Sequence, residues 1–323
     1  MDSFSLEELE GQADAYDRSV AASPDLDAFC SSSDWVLPAA RGLMPGREPW
    51  IRREGDAFVA LMRTEAGGRA WLEPLEAMWG LACPLVGPDV RAVAETLTRA
   101  LGQSLVPFGL VLCGLAPGSP RLLRVARALE RRFQLGLAPP TRREVADLSG
   151  GAEAWWSRRS PTFRRSLRKA EKRARRAGVA FDPVEVAPRD ADAVWQRIAA
   201  IDDRTWKGEA GLGVGSGEMA AFYAHMLRRL AARRAARVII ARHEERDVGY
   251  IFGGVLGDGY RGLQFGFTQE AAALSLGNLL QLRQIEGLCA EGIVTYDLGA
   301  EVPYKRRWAD RVRETVTLVA TPG

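Results

Sequence analysis

Histidine is nearly absent from this chain: His225 and His243 are the two found in 323 residues. A zinc centre or other histidine-built metal site is not expected from so few ligands. Cysteine is scarce too. Cys30, Cys83, Cys113 and Cys289 lie far apart and form no C-x-x-C pair. That argues against a disulfide framework and fits a reducing compartment. No run approaches the roughly 18 apolar residues of a spanning helix. The stretch from Met1 to Asp17 is acidic and lacks a signal-peptide core. A soluble cytoplasmic protein is the expectation. The net charge of +3 is too small to imply a nucleic-acid partner by itself. What is present is globular in kind, with 47% hydrophobic and 26% charged residues. The length has room for about two domains.

The first half reads as strands followed by helix, strand and helix. Residues 5–20 suit a surface helix, with Ser5 as N-cap. Strands are expected at 50–53, 57–63 and 69–73, separated by Gly55-Asp56 and Gly67-Gly68. A helix follows over 88–101, with Val90, Val93, Ala94 and Leu97 inward. A buried strand follows at 106–112, and Ser119-Pro120 opens another helix. Met62, Trp71, Met78 and Trp79 read as core.

Pro139-Pro140 and Ser149-Gly150-Gly151 mark breaks. Beyond them lies the most unusual composition. From Arg158 to Arg176 there are ten Arg or Lys residues and one acid, Glu171. Ser160-Pro161 is an N-cap and first-turn proline, and Gly178 is a C-terminal stop. Phe163, Leu167, Ala170, Ala174 and Ala177 form one apolar stripe. The segment reads as a solvated helix with one packed face, or as an arm for CoA phosphates, tRNA or another polyanion.

The second half carries the densest pattern, over residues 238–299. Apolar runs at 238–241, 248–256 and 260–268 read as strands, with Asp258-Gly259 as a hairpin turn. Leu274-Ser275-Leu276-Gly277-Asn278 then leads into a helix that Gly292 ends, and 293–299 is a further strand. A helix N-terminus has free N–H groups and partial positive charge, so Ser275, Leu276, Gly277 and Asn278 are candidate phosphate ligands. Gly277 is expected there to let a diphosphate approach the backbone. Gly211, Gly213, Gly215 and Gly217 follow a helix rather than a strand. They are therefore read as a mobile covering loop, not a dinucleotide fingerprint.

Four segments occur in order at familiar distances: Asp203-Arg204-Thr205-Trp206-Lys207, Leu274 to Leu280, Tyr296-Asp297-Leu298-Gly299, and Tyr304-Lys305-Arg306-Arg307-Trp308. With the basic Phe163 to Arg168 segment, they make the chain resemble the CelD-like and FemAB-like branch of the GNAT N-acyltransferase superfamily. The resemblance runs from about Val145 onward. It implies an α/β (α+β) fold of two tandem GNAT-like domains. Each would be a mixed, mostly antiparallel sheet flanked by helices. The expected division is a degenerate domain over 1–150, a basic linker helix over 151–180, and an acyl-donor domain over 181–323. The donor loop departs from the usual Q/R-x-x-G-x-G/A pattern, having one glycine. Both acyl-CoA and aminoacyl-tRNA stay open as donors.

Direct acyl transfer to an amine needs a base, an oxyanion donor and a proton for the leaving group. Asp297 and Glu301 are candidate bases, and Tyr304 a candidate acid. Lys305, Asp203, Trp206, Lys207 and Trp308 are candidate substrate contacts. The leading expectation is N-acyl, chiefly acetyl, transfer from CoA to the amine of a small molecule, sugar or peptide, without a metal. The alternatives are an aminoacyl-tRNA-dependent ligase using residues 158–176 to hold tRNA, or a non-catalytic scaffold.

Overall fold

The computed structural model describes every residue except Leu105. In chain order its strands are β1 (Asp2–Phe4), β2 (Glu48–Glu54), β3 (Ala57–Ala66), β4 (Arg69–Pro74), β5 (Leu85–Val86), β6 (Gly109–Leu115) and β7 (Phe133–Leu137). They continue with β8 (Thr141–Asp147), β9 (Ala180–Val184), β10 (Ala236–His243), β11 (Arg246–Leu256), β12 (Gly259–Phe267), β13 (Thr295–Ala300) and β14 (Arg311–Pro322).

The chain divides into two compact units, Met1–Thr141 with Glu314–Gly323, and Arg142–Arg313. This differs from the expected cut at 150 and from a separate linker helix. The C-terminal residues return to the first unit because β14 pairs with β6 and β7. The basic helix forms at Pro161–Arg176, capped by the Ser160 hydroxyl, which accepts from the Phe163 N–H. It lies inside the second unit. Its buried stripe Phe163, Leu167, Ala170 and Ala174 packs on the helix Leu276–Ala290 through Leu279, Leu282 and Ile285. Removing those apolar faces from water is what holds so basic a helix in place.

Each unit repeats one plan. An antiparallel meander leads through a helix to a strand that pairs parallel with the last meander strand. In the first unit, β2, β3 and β4 are antiparallel, and β6 joins β4 in parallel after the helix Val90–Gly102. In the second, β9 to β12 are antiparallel, and β13 joins β12 in parallel after Leu276–Ala290. The architecture is mixed α/β with mostly antiparallel sheets, as the sequence implies. The β11–β12 hairpin loop is Gly257-Asp258, one residue earlier than the Asp258-Gly259 pair suggests. Gly257 takes φ +60°, where a side chain would be strained.

Candidate acyl-transfer site

β12 and β13 stay together briefly. Their parallel register runs from Gly259↔Thr295 to Arg261↔Asp297 and stops, while β12 continues to Phe267 and β13 to Ala300. The strands part, and a wedge opens at the carboxyl end of β13, where α/β sheets commonly bind ligands.

At the apex sits Asp297, buried between two arginines. Its Oδ2 lies 2.6 Å from the Arg143 guanidinium, and its Oδ1 pairs with Arg261 and accepts the Gly299 N–H at 2.8 Å. A carboxylate engaged on both oxygens is a counter-ion and a brace. It is badly placed to take a proton from an amine. The structure therefore departs from Asp297 as a base.

Lys305 lies just above this pair. Its Nζ donates to the Ala300 carbonyl at 3.2 Å and stands 3.3 Å from where a Cβ on Gly299 would be. Gly299 has φ +85°, so both conformation and space favour glycine there. Burial pushes the Lys305 ammonium down to about 8; Arg261 adds to this and Asp297 opposes it. Tyr304 is half-exposed at the rim, and burial pushes its hydroxyl up to about 12. Glu301, the other candidate base, pairs with Arg142 at 3.1 Å and Arg306 at 2.9 Å.

Sequence reasoning missed three members of this cluster: Arg143, Glu144 and Arg261. Glu144 faces Gly299 across the β8–β13 register and is 3% exposed. Burial, then the charge of Glu301, raises its carboxyl above the usual range. The signal was there to find. Arg261 interrupts the apolar run of β12, and Arg143-Glu144 precedes the apolar Val145-Ala146. A charge inside a strand pattern must be paired if buried.

The start of Leu276–Ala290 adjoins the wedge. Ser275 adopts the left-handed conformation at φ 59° and makes no side-chain cap. Asn278 and Leu279 donate to the Ser275 carbonyl. The N–H groups of Leu276 and Gly277 precede any intrahelical acceptor and point out of the helix end. Gly277 has a packing reason of its own. A Cβ there would meet the rings of Phe267 at 3.0 Å and Phe265 at 3.1 Å. Phe265 also meets Tyr304, ring centroids 6.2 Å apart, so one ring separates the helix start from the wedge. Arg173 of the basic helix donates to the Ala273 carbonyl at 2.6 Å. The basic segment is thus fastened to the turn Gln269–Leu274 before the helix start and is no free arm. In the first unit the matching helix is closed: Asp89 caps Val90–Gly102 by accepting from the Arg91 and Ala92 N–H groups.

The opposite wall is the segment 202–215. Buried Asp202 accepts from the Tyr250 hydroxyl at 2.7 Å, the Val214 N–H at 2.5 Å and the Gly215 N–H at 3.1 Å. Cβ atoms on Gly208, Gly213 and Gly215 would collide with Asp202 or Asp203 at 2.2–2.7 Å. In the expected mobile cover, Gly213 and Gly215 thus wrap closely onto Asp202 and Asp203, while Gly211 and Gly217 take positive φ with open space where a Cβ would be. Asp203 is exposed, and so is Trp206 at 59%, with the Lys207 ammonium 5.9 Å from its ring centroid. Lys207 also contributes to lowering Lys305, which places it on the same side. The Gln269 N–H donates to the Arg204 carbonyl, tying this wall to the turn that precedes the helix start. Trp308 is a correction. It is 1% exposed, stacked on Trp155 at 5.8 Å and edge-on to Phe163 at 4.9 Å, so it packs the core and cannot touch a substrate.

Residues 161–306 match the acetyltransferase (GNAT) domain family. No curated protein matches the chain. Among solved structures it is similar to FemX, at 11% identity and TM-score 0.63, over 98% of this chain and 97% of that one. It is also similar to a conserved protein of unknown function from Bacteroides thetaiotaomicron, at 11% identity and TM-score 0.61, over 99% and 98%. L-PGS from Bacillus licheniformis gives 11% identity and TM-score 0.57, over 94% and 90%. At such identities the likeness is one of fold. No helix among the described residues is long and apolar enough to cross a membrane.

Proposed function

We propose that the second unit is an N-acyltransferase that passes an acyl group from acyl-CoA to an amine in the β12–β13 wedge. One observation carries this reading: an uncapped helix start with two outward N–H groups lies one aromatic ring from a half-buried lysine whose ammonium is depressed. The Leu276 and Gly277 amides would hold the donor diphosphate. The amine attacks the thioester carbonyl, a C–N bond forms, and the C–S bond breaks. Lys305, with a neutral fraction near physiological pH, takes the proton from the amine. Tyr304 stays protonated and supplies a proton to the leaving thiolate. Asp297 fixes Arg261 beneath them. The first unit is degenerate on this reading, because the Asp89 carboxylate occupies the amides a phosphate would need.

Aminoacyl-tRNA is the rival donor, and the seating of Arg173 on the donor loop favours it. Such a donor would track the exposed arginines and lysines of Pro161–Arg176. Calorimetry with acetyl-CoA and longer acyl-CoAs, beside filter binding of bulk tRNA at two salt concentrations, separates the readings. Acyl-CoA binding is the expected result. Steeply salt-dependent tRNA binding without CoA binding would replace the donor. Binding of neither by the folded protein would overturn the enzyme in favour of a scaffold.

A further inference from the structure

We propose a second small-molecule site in this unit, for a monocarboxylate with an apolar body and one N–H donor. A cavity of about 830 Å³ opens between β9, β10 and the C-terminal half of Leu276–Ala290. Its volume lies in the range of ordinary ligand sites. It shares no residue with the wedge cluster, so it stands or falls without the transfer reading.

Three observations point to a ligand. The first is Gly287, which lines the cavity from inside the helix. Glycine destabilises a helix interior relative to alanine. Here neither usual reason for it applies: its φ is not positive, and nothing lies within 4 Å of where its Cβ would be. What the missing side chain does is keep the cavity open. The second is charge. Arg237 is neutralised by Glu291 at 2.7 Å, and Arg283 by Glu171 and Glu286 at 2.8 and 2.6 Å. Arg234, also on the lining and exposed, has no acidic partner among the described residues. The third is Gln284, 3% exposed, whose Oε1 has no hydrogen-bond partner among the described residues. A buried acceptor without a partner is costly, and a ligand N–H is the partner it lacks. Phe181, Val186 and Ile239 supply the apolar walls.

The test is calorimetric titration of the full chain with indole-3-acetate and N-acetyl-leucine, and with indole-3-ethanol as a neutral comparison. Both carboxylates should bind. Arg234→Gln should weaken indole-3-acetate about tenfold and leave indole-3-ethanol unchanged. Gln284→Leu should raise Tm, because the orphaned oxygen is gone, while weakening both carboxylates. Gly287→Phe should fold, since its Cβ enters open space, and should abolish binding; Gly287→Leu is the smaller alternative should the phenylalanine variant not fold. Failure of both carboxylates to bind the unaltered chain at millimolar concentration overturns the proposal. So does undiminished binding to the cavity-filling variant.

Discussion

Replacing Asp297 with asparagine separates the two roles open to that carboxylate. The side chains of Arg143, Arg261 and Asp297 are 1%, 9% and 11% exposed, so their ion pairs are little screened. Asparagine keeps the shape and removes the charge. Two buried guanidiniums then lose their shared counter-ion, a change that costs about 3–5 kcal/mol when one side of a buried pair is removed. That is a large fraction of a typical folding free energy of about 5–15 kcal/mol. Urea unfolding of Asp297→Asn should show it as a lower midpoint at unchanged slope. A second consequence follows at Lys305. The negative charge of Asp297 favours the ammonium, so its loss moves the lysine further below about 8. The alkaline-rising limb of kcat/KM should then shift to lower pH. Suppose instead that stability falls by less than about 1 kcal/mol, kcat collapses, and the limb stays in place. Asp297 would then be the base itself, and the counter-ion argument would be refuted.

Lys305→Met should lower kcat/KM at neutral pH by about a hundredfold or more and erase the limb near 8, since activity should rise with pH as the ammonium of about 8 loses its proton; a surviving limb in the pH profile removes Lys305 as base. Gly277→Val should lose about 1–3 kcal/mol by overpacking the Phe265 and Phe267 rings, read by thermal unfolding, and should weaken donor binding at least about tenfold. Normal donor binding by the folded variant would mean that the loop is not the donor site. Trp308→Ala should cost about 3–5 kcal/mol through a cavity between Trp155 and Phe163, and a variant that instead keeps its stability but loses acceptor affinity would return Trp308 to the binding surface.

Much of the second unit was legible because its elements are local. The Ser160-Pro161 cap, the Phe163-Leu167-Ala170-Ala174 stripe and the strand–loop–helix–strand order each follow from residues near one another. What the sequence hid depends on distant pairing. Arg143 meets Asp297 across β8 and β13, so the role of Asp297 turns on a residue far back in the chain. Trp308 adjoins the site in sequence, yet it turns inward because Trp155 and Phe163 offer it a stacked pocket. Gly213 and Gly215 looked like freedom; their neighbours, Asp202 and Asp203, show them to be close packing. The C-terminal strand was likewise invisible as a member of the first unit, since only its pairing with β6 and β7 assigns it there.

On the proposed reading, one plan carries a site in one unit and withholds it in the other. Both bring a parallel strand back after a crossover helix, so both present a helix start near a short parallel pairing. In the first, Asp89 closes the helix end with its own carboxylate, and the Trp71 ring lies so near Gly109 that a Cβ there would sit 2.6 Å away. Anion and acceptor would each find the space taken. In the second, Ser275 turns left-handed and leaves its helix end uncapped, while the register stops at Arg261↔Asp297 and the strands part. The charge that an opened strand pair exposes is then held by Arg143, Asp297 and Arg261, which leaves Lys305 half-buried above them, with no carboxylate in contact among the described residues. A lysine in that setting sheds its proton far more readily than one in water, because burial and a neighbouring guanidinium both disfavour its charge. The chemistry proposed for the wedge thus rests less on any single acid or base than on where the sheet comes apart.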